Sequence, residues 1–150
     1  MRFPLKEISE QPDSILKAGN NDQIQQFADS IKKAKNLYIT GSGTSYNAAE
    51  ITKYLMSKFA KIKVNTVIAS ELPFSANDIE QNSTLIAISQ SGESADVLEA
   101  VKIAKKSNTS ILSVVNHLNS SLSQESSLVI GLNCGPEIRS EEHTSNSSHT

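Results

Sequence analysis

Six consecutive residues, Ser89-Gln90-Ser91-Gly92-Glu93-Ser94, bring three hydroxyls and a carboxamide into one turn. They follow the apolar, β-branched run Ser83–Ile88 and precede Ala95–Ser107, whose apolar residues recur at helical spacing. A strand, a tight turn and a helix aim the unpaired first N–H groups of that helix at one point, where the helix dipole adds partial positive charge. Hydroxyls, amides and a glycine at such a point make a cradle for an anion, phosphate above all. A simple cap by Ser91 would need one hydroxyl, and here four polar side chains cluster. Gly92 is expected to let the backbone approach the ligand closely.

The same pattern occurs earlier. Leu37–Thr40 reads as a strand, Gly41-Ser42-Gly43-Thr44-Ser45 follows it directly, and a helix comes next with Ala48, Ile51, Leu55 and Phe59 along the face expected to meet the core. Further strands are read at 64–68, 110–115 and 128–132, with a helix from Asp22 through Ala34 and a helical turn near 120–124. A short helix is expected at 13–18, opened by Pro12 or Asp13. Strands alternating with helices, without hairpin signals, predict an α/β fold: a flavodoxin-like three-layer αβα sandwich around a five-stranded parallel sheet of order 2-1-3-4-5. In that order strands one and three are neighbours whose chains leave in opposite directions. The two hydroxyl-rich loops would then face each other beyond the carboxyl ends of the strands, where ligands bind such sheets.

Composition narrows the function classes. The chain has 150 residues, the size of one domain, with 5% aromatic residues and a formal net charge of −2, so its core rests on Ile, Leu, Val and Ala and it bears no nucleic-acid footprint. A single cysteine, Cys134, fits a reducing compartment, and no apolar stretch approaches the length of a membrane span, so a cytoplasmic protein without nucleic-acid or membrane partners is expected. Several chemistries fail on spacing. Tyr46 occupies the last glycine position of a dinucleotide fingerprint, no Gly-Lys-Ser/Thr string follows a phosphate loop, and Ser89 stands where a nucleophile elbow needs glycine. His143 and His149 lie in a polar tail and His117 stands alone, so neither metal nor cofactor is expected. Glu93 and Asp96 at the helix start are read as complements to its dipole, and Glu71 as a rim candidate for ligand or subunit contact.

Taken together, Ser42–Asn47, Ala69-Ser70-Glu71 and Ser89–Asp96 resemble the sugar isomerase (SIS) domain family. The likeness is greatest to the first SIS domain of the glutamine–fructose-6-phosphate aminotransferases, whose isomerase half opens on a segment resembling Lys6–Pro12. The resemblance implies a phosphosugar ligand whose phosphate is held by Ser89, Gln90, Ser91 and Ser94, with Gly43, Thr44, Ser45 and Gly92 completing the pocket. It implies an amino-sugar phosphate isomerase or synthase acting on fructose 6-phosphate or glucosamine 6-phosphate, a homodimer when intact. The alternative is a regulatory SIS module that senses a phosphosugar without turning it over.

Departures from the family shape the remaining expectations. Arg2 follows Met1 where the family's glutaminase carries its cysteine nucleophile, and the glutamate, histidine and lysine of the isomerisation belong to a second SIS domain. This chain is therefore expected to supply the anchor and no catalytic residue, and by itself to be inactive. Residues 1–20 are read as a leader with a short helix, 21–138 as a truncated SIS domain, and 139–150, which contain no apolar side chain, as a non-native tail.

Overall fold

The structure is a computed structural model that describes residues 3–19 and 23–134. The expected tail at 139–150 and the family-like run after Cys134 lie outside the described residues. Five parallel strands, β1 (Leu37–Gly41), β2 (Asn65–Ile68), β3 (Thr84–Ser89), β4 (Ser110–Val115) and β5 (Leu128–Gly131), form one sheet in the order β2-β1-β3-β4-β5. The expected α/β sandwich is thus the observed one. Ile39, Leu85, Ile86 and Leu112 are buried, as continuous apolar strands of a sheet covered on both faces must be.

Helices α2 (Ile24–Lys33) and α3 (Thr44–Leu55) cover one face, burying Phe27 and Ala49 with Leu37, Ile39, Ile86 and Leu112. Helix α4 (Ala95–Lys106), the short α5 (Ser121–Gln124) and a 3-10 turn at Leu72–Phe74 cover the other. There Val97, Ala100, Val101 and Ala104 form the stripe that the sequence spacing indicates.

Two elements differ from the sequence reading. Helix α1 runs unbroken over Phe3–Gly19 with Pro12 inside it, instead of beginning at Pro12 or Asp13. A proline removes one backbone hydrogen bond, and turns that can form on both sides carry the helix across the gap. In α3 and the turn after it the core-facing side chains are Ala49 and, partly buried, Tyr46 and Met56, while Ala48, Ile51, Leu55 and Phe59 face outward. The periodicity was real, but its apolar face looks away from the sheet. The helix ends in a π-helical turn at Met56–Ala60, and Lys61 leaves it in the left-handed conformation at φ 58°.

Candidate functional site

Strand register places the two loops side by side. Gly41 of β1 pairs with Ile88 of β3, so the residues that follow each strand emerge at the same level on the carboxyl edge of the sheet. Between them lies a cavity of about 160 Å³ lined by Ser42, Thr44, Ser45, Ser89, Gln90, Ser91 and Ser94, with Ile88 and Val97 at its floor. Its size falls below the range of about 300 to 1,000 Å³ usual for drug-sized ligands, and suits the charged head of a ligand rather than a whole one.

The polar groups around the cavity are only partly committed to the fold. The Gly92 N–H donates to Ser89 Oγ at 3.1 Å and the Glu93 N–H donates to Ser91 Oγ at 3.2 Å. Each hydroxyl thereby serves as acceptor within the loop and keeps its own proton for an anion. The side chains of Thr44, Ser45, Gln90 and Ser94 make no hydrogen bond among the described residues. Ser42 Oγ is buried without a partner. Helix α3 starts at Gly43, which has no side chain to cap it, and Ser94 at the start of α4 makes no side-chain cap bond. Two helix N-termini without side-chain caps therefore turn their positive dipole ends to the same small space, although in α3 the Ser45 and Tyr46 N–H groups already donate to the Ser42 and Gly43 carbonyls, both at 3.1 Å.

Among the described residues no Lys, Arg, His, Asp, Glu or Cys lines the cavity. Its electrostatics come from peptide dipoles and hydroxyls alone, an arrangement that binds an anion by hydrogen bonds but contains no group to move a proton between carbons. Nearby, burial pushes the Tyr46 phenol up, partly opposed by its bond with the Thr66 hydroxyl, and the Tyr46 hydroxyl donates to Glu50 at 3.1 Å.

Two of the eight residues expected at the site do not line it. Gly43 is exposed at φ +54° and shapes the entry to α3. Gly92 is buried at φ +68°, and a Cβ there would lie 2.1 Å from Ser120 Oγ. Its freedom is required by close contact with Ser120 at the start of α5, and its carbonyl accepts from Leu122 N at 3.0 Å. The reading of Glu93 is corrected likewise. Its carboxylate turns away from α4 to accept from the Ser121 N–H and hydroxyl, both at 2.8 Å, and these bonds hold it below the usual carboxylate range. Glu71 and His117 are exposed on the rim and outside the cavity. Ser42, Ile88 and Val97 are lining residues absent from the expected set. Ser42 was legible as the hydroxyl beside Gly43, whereas Ile88 and Val97 look like ordinary core residues until the sheet places them.

This loop pair on this sheet defines a class. The SIS domain model matches residues 30–149, and the chain belongs to the SIS domain family. Within it, the chain is 42% identical over 139 residues to the glutamine–fructose-6-phosphate aminotransferase [isomerizing] of Pyrococcus horikoshii, covering 91% of this chain and 23% of that protein. It is 37% identical over 145 residues to the enzyme of the same name from Thermotoga maritima, covering 91% and 24%. The chain spans about a quarter of the length of these relatives. Among solved structures, it resembles the C-terminal domain of the glucosamine-fructose-6-phosphate aminotransferase of Francisella tularensis at a TM-score of 0.79 and 37% identity, covering 89% of this chain and 40% of that one. It also resembles a glucosamine-6-phosphate deaminase of Thermotoga maritima at a TM-score of 0.70 and 27% identity, covering 91% and 41%.

Proposed function

We propose that this chain is the phosphate-anchoring SIS domain of an amino-sugar phosphate isomerase or synthase, with fructose 6-phosphate or glucosamine 6-phosphate as ligand. The observation that carries this reading is the convergence of two uncapped helix N-termini and six hydroxyl side chains on one cavity that, among the described residues, has no ionisable group in its lining. Ser89, Gln90, Ser91 and Ser94 from one loop and Ser42, Thr44 and Ser45 from the other hold the phosphate. Gly43 and Gly92 shape those loops. The names of the relatives support the choice of sugar, since both aminotransferase and deaminase point to the same pair of 6-phosphates.

In the intact enzyme, phosphate binding energy would fix C1 and C2 of the sugar against a base, so that proton transfer starts from an oriented substrate. This domain supplies the anchor. The acid–base residues come from beyond the described lining, whose groups are hydroxyls, one carboxamide and two aliphatic side chains. A cytoplasmic homodimer completes the proposal, supported by the lone exposed Cys134 and by the outward-facing apolar side chains of α3. Among the described residues no helix is long and apolar enough to cross a membrane.

Thermal denaturation of the full chain with each sugar phosphate tests the anchor. At a hundred times Kd the ligand adds roughly 2.7 kcal/mol of stability and raises the melting temperature. Glucosamine without the phosphate should give no shift. A folded chain whose melting temperature responds to neither phosphate, or responds equally to glucosamine, contradicts the proposal.

A further inference from the structure

A concentration of positive charge lies at the other end of the sheet from the cradle. Between Glu50 and Glu71 the chain carries Lys53, Lys58, Lys61 and Lys63 and no acidic residue, in a protein whose formal net charge is −2. Three of these lysines, with Tyr54, Ser57 and Asn65, border a groove of about 620 Å³ between the end of α3 and the start of edge strand β2. Helix α3 begins at the carboxyl edge and runs back along the sheet, so this groove opens at the amino edge, away from Thr44 and Ser89. Its volume falls within the range of about 300 to 1,000 Å³ usual for small-molecule sites.

Cations are favoured at a helix C-terminus whatever the function, and Lys58, which sits over the Phe59 ring at 5.4 Å, needs no other explanation. The other three are different. Lys53 Nζ lies 3.5 Å from the Thr66 hydroxyl and 3.9 Å from Glu50, but that carboxylate already accepts from the Thr66 and Tyr46 hydroxyls. Lys61 and Lys63 are exposed and have no carboxylate partner among the described residues. Lys61 also leaves the helix at φ 58°, a left-handed geometry that glycine or asparagine adopts more easily, and both it and Lys63 border the same groove. Like charges gathered around one concave surface repel, and a multivalent anion removes that repulsion.

We propose that this groove binds an oligophosphate chain, free or as the tail of a nucleotide. Lys61 and Lys63 take successive phosphates and Lys53 a third beside Thr66, with the Ser57 hydroxyl and the Asn65 carboxamide adding hydrogen bonds. The exposed ring of Tyr54 offers a face on which a base can stack. A single phosphate suits the small cradle of hydroxyls and amides, whereas three ammonium groups spread around a far larger groove suit several linked charges. The site is independent of the sugar phosphate reading.

Isothermal titration calorimetry of the full 150-residue chain tests it, with inorganic triphosphate as the probe and glucosamine 6-phosphate present throughout to occupy the cradle. One triphosphate is expected to bind per chain, with an affinity that falls as salt is raised. Lys61→Ala combined with Lys63→Ala, both at exposed positions, should weaken it roughly tenfold or more. Lys102→Ala combined with Lys106→Ala removes the same charge from exposed positions of α4 and should leave the affinity unchanged. ATP identifies the source of the chain: tighter binding than triphosphate, with the margin lost in Tyr54→Ala, assigns it to a nucleotide, and equal binding assigns it to the inorganic anion. A folded wild type that takes up neither, or equal losses in the two double variants, overturns the site.

Discussion

Loop 41–45 and loop 89–94 leave neighbouring strands at the same level and follow one chemical recipe, yet they are tied down differently: the first by the Ala69 N–H donating to the Gly41 carbonyl at 3.0 Å, the second by several side-chain and backbone contacts to the β4–α5 connection and α5. In loop 89–94, Ser89 and Ser91 accept from backbone N–H groups within the loop, Gly92 packs on Ser120, Glu93 caps α5, and the Gln90 carbonyl accepts from Asn116 N at 3.0 Å. In loop 41–45 the hydroxyls of Thr44 and Ser45 are uncommitted and Ser42 Oγ is buried without a partner. The difference teaches a division of labour. Loop 89–94 is a preformed wall held by the β4–α5 connection, and loop 41–45 has side-chain hydrogen-bonding capacity that the proposed phosphate would satisfy. Ser42 Oγ shares its buried, unpartnered state with the hydroxyls of Thr109 and Ser113, and of the three it alone lines the cavity, where the proposed phosphate would give it a partner.

The largest expected effect separates the two glycines. Gly92→Ala forces a Cβ against Ser120 at a backbone angle that side chains avoid, and should destabilise the fold by roughly 3 kcal/mol in urea unfolding. Gly43→Ala meets open space and has only its backbone angle to strain, so about 1 to 2 kcal/mol is expected. A greater loss at Gly43 would reverse the assignment of wall and adaptable loop.

Serine substitutions sharpen the same contrast. Ser89→Ala leaves the buried Gly92 N–H without its acceptor and should cost about 1 kcal/mol of stability without any ligand present. Ser42→Ala removes a buried unpartnered hydroxyl and should stabilise the free protein by about 1 kcal/mol, while weakening glucosamine 6-phosphate binding roughly tenfold. Calorimetric titration beside unfolding curves separates the two. Equal stability losses at both positions would mean that the loops are held alike.

The smallest effect is a pH dependence. Because hydrogen bonds from Ser121 hold the folded Glu93 carboxyl below its ordinary value, its contribution to stability is present above the ordinary carboxylate range and fades as pH falls through the lowered value. Glu93→Gln should flatten that part of the acid-unfolding curve slightly, and Glu99→Gln, on an exposed position of α4, should leave it unchanged. A Glu93→Gln curve that superimposes on the wild type would show the tie to α5 to be energetically idle.

Much of this was legible in the residues because local chemistry and global fold agree there. The strand, loop and helix units around Gly41 and Ser89 set both the sheet order and the cavity, and six of the eight expected residues line it. What failed had a common cause: the sequence states a residue's conformational need but not the neighbour that imposes it. The sequence marks Gly92 as a residue that needs freedom without naming Ser120 as the neighbour that demands it, and Glu93 at the start of α4 is received by Ser121 of α5. Periodicity on α3 located an apolar face without telling whether the sheet or something outside the chain covers it. Pro12 signals a helix start by its missing N–H, and only the turns on both sides decide that the helix passes through it.

A nitrogen-15 correlation spectrum of the full chain titrated with glucosamine 6-phosphate tests the shared cradle most directly. The account predicts that the amides of Thr44 and Ser45 in one loop and of Ser91 and Ser94 in the other shift together along one saturable curve, while those of β5 stay fixed. A folded protein in which neither loop responds, or in which only one does, contradicts it.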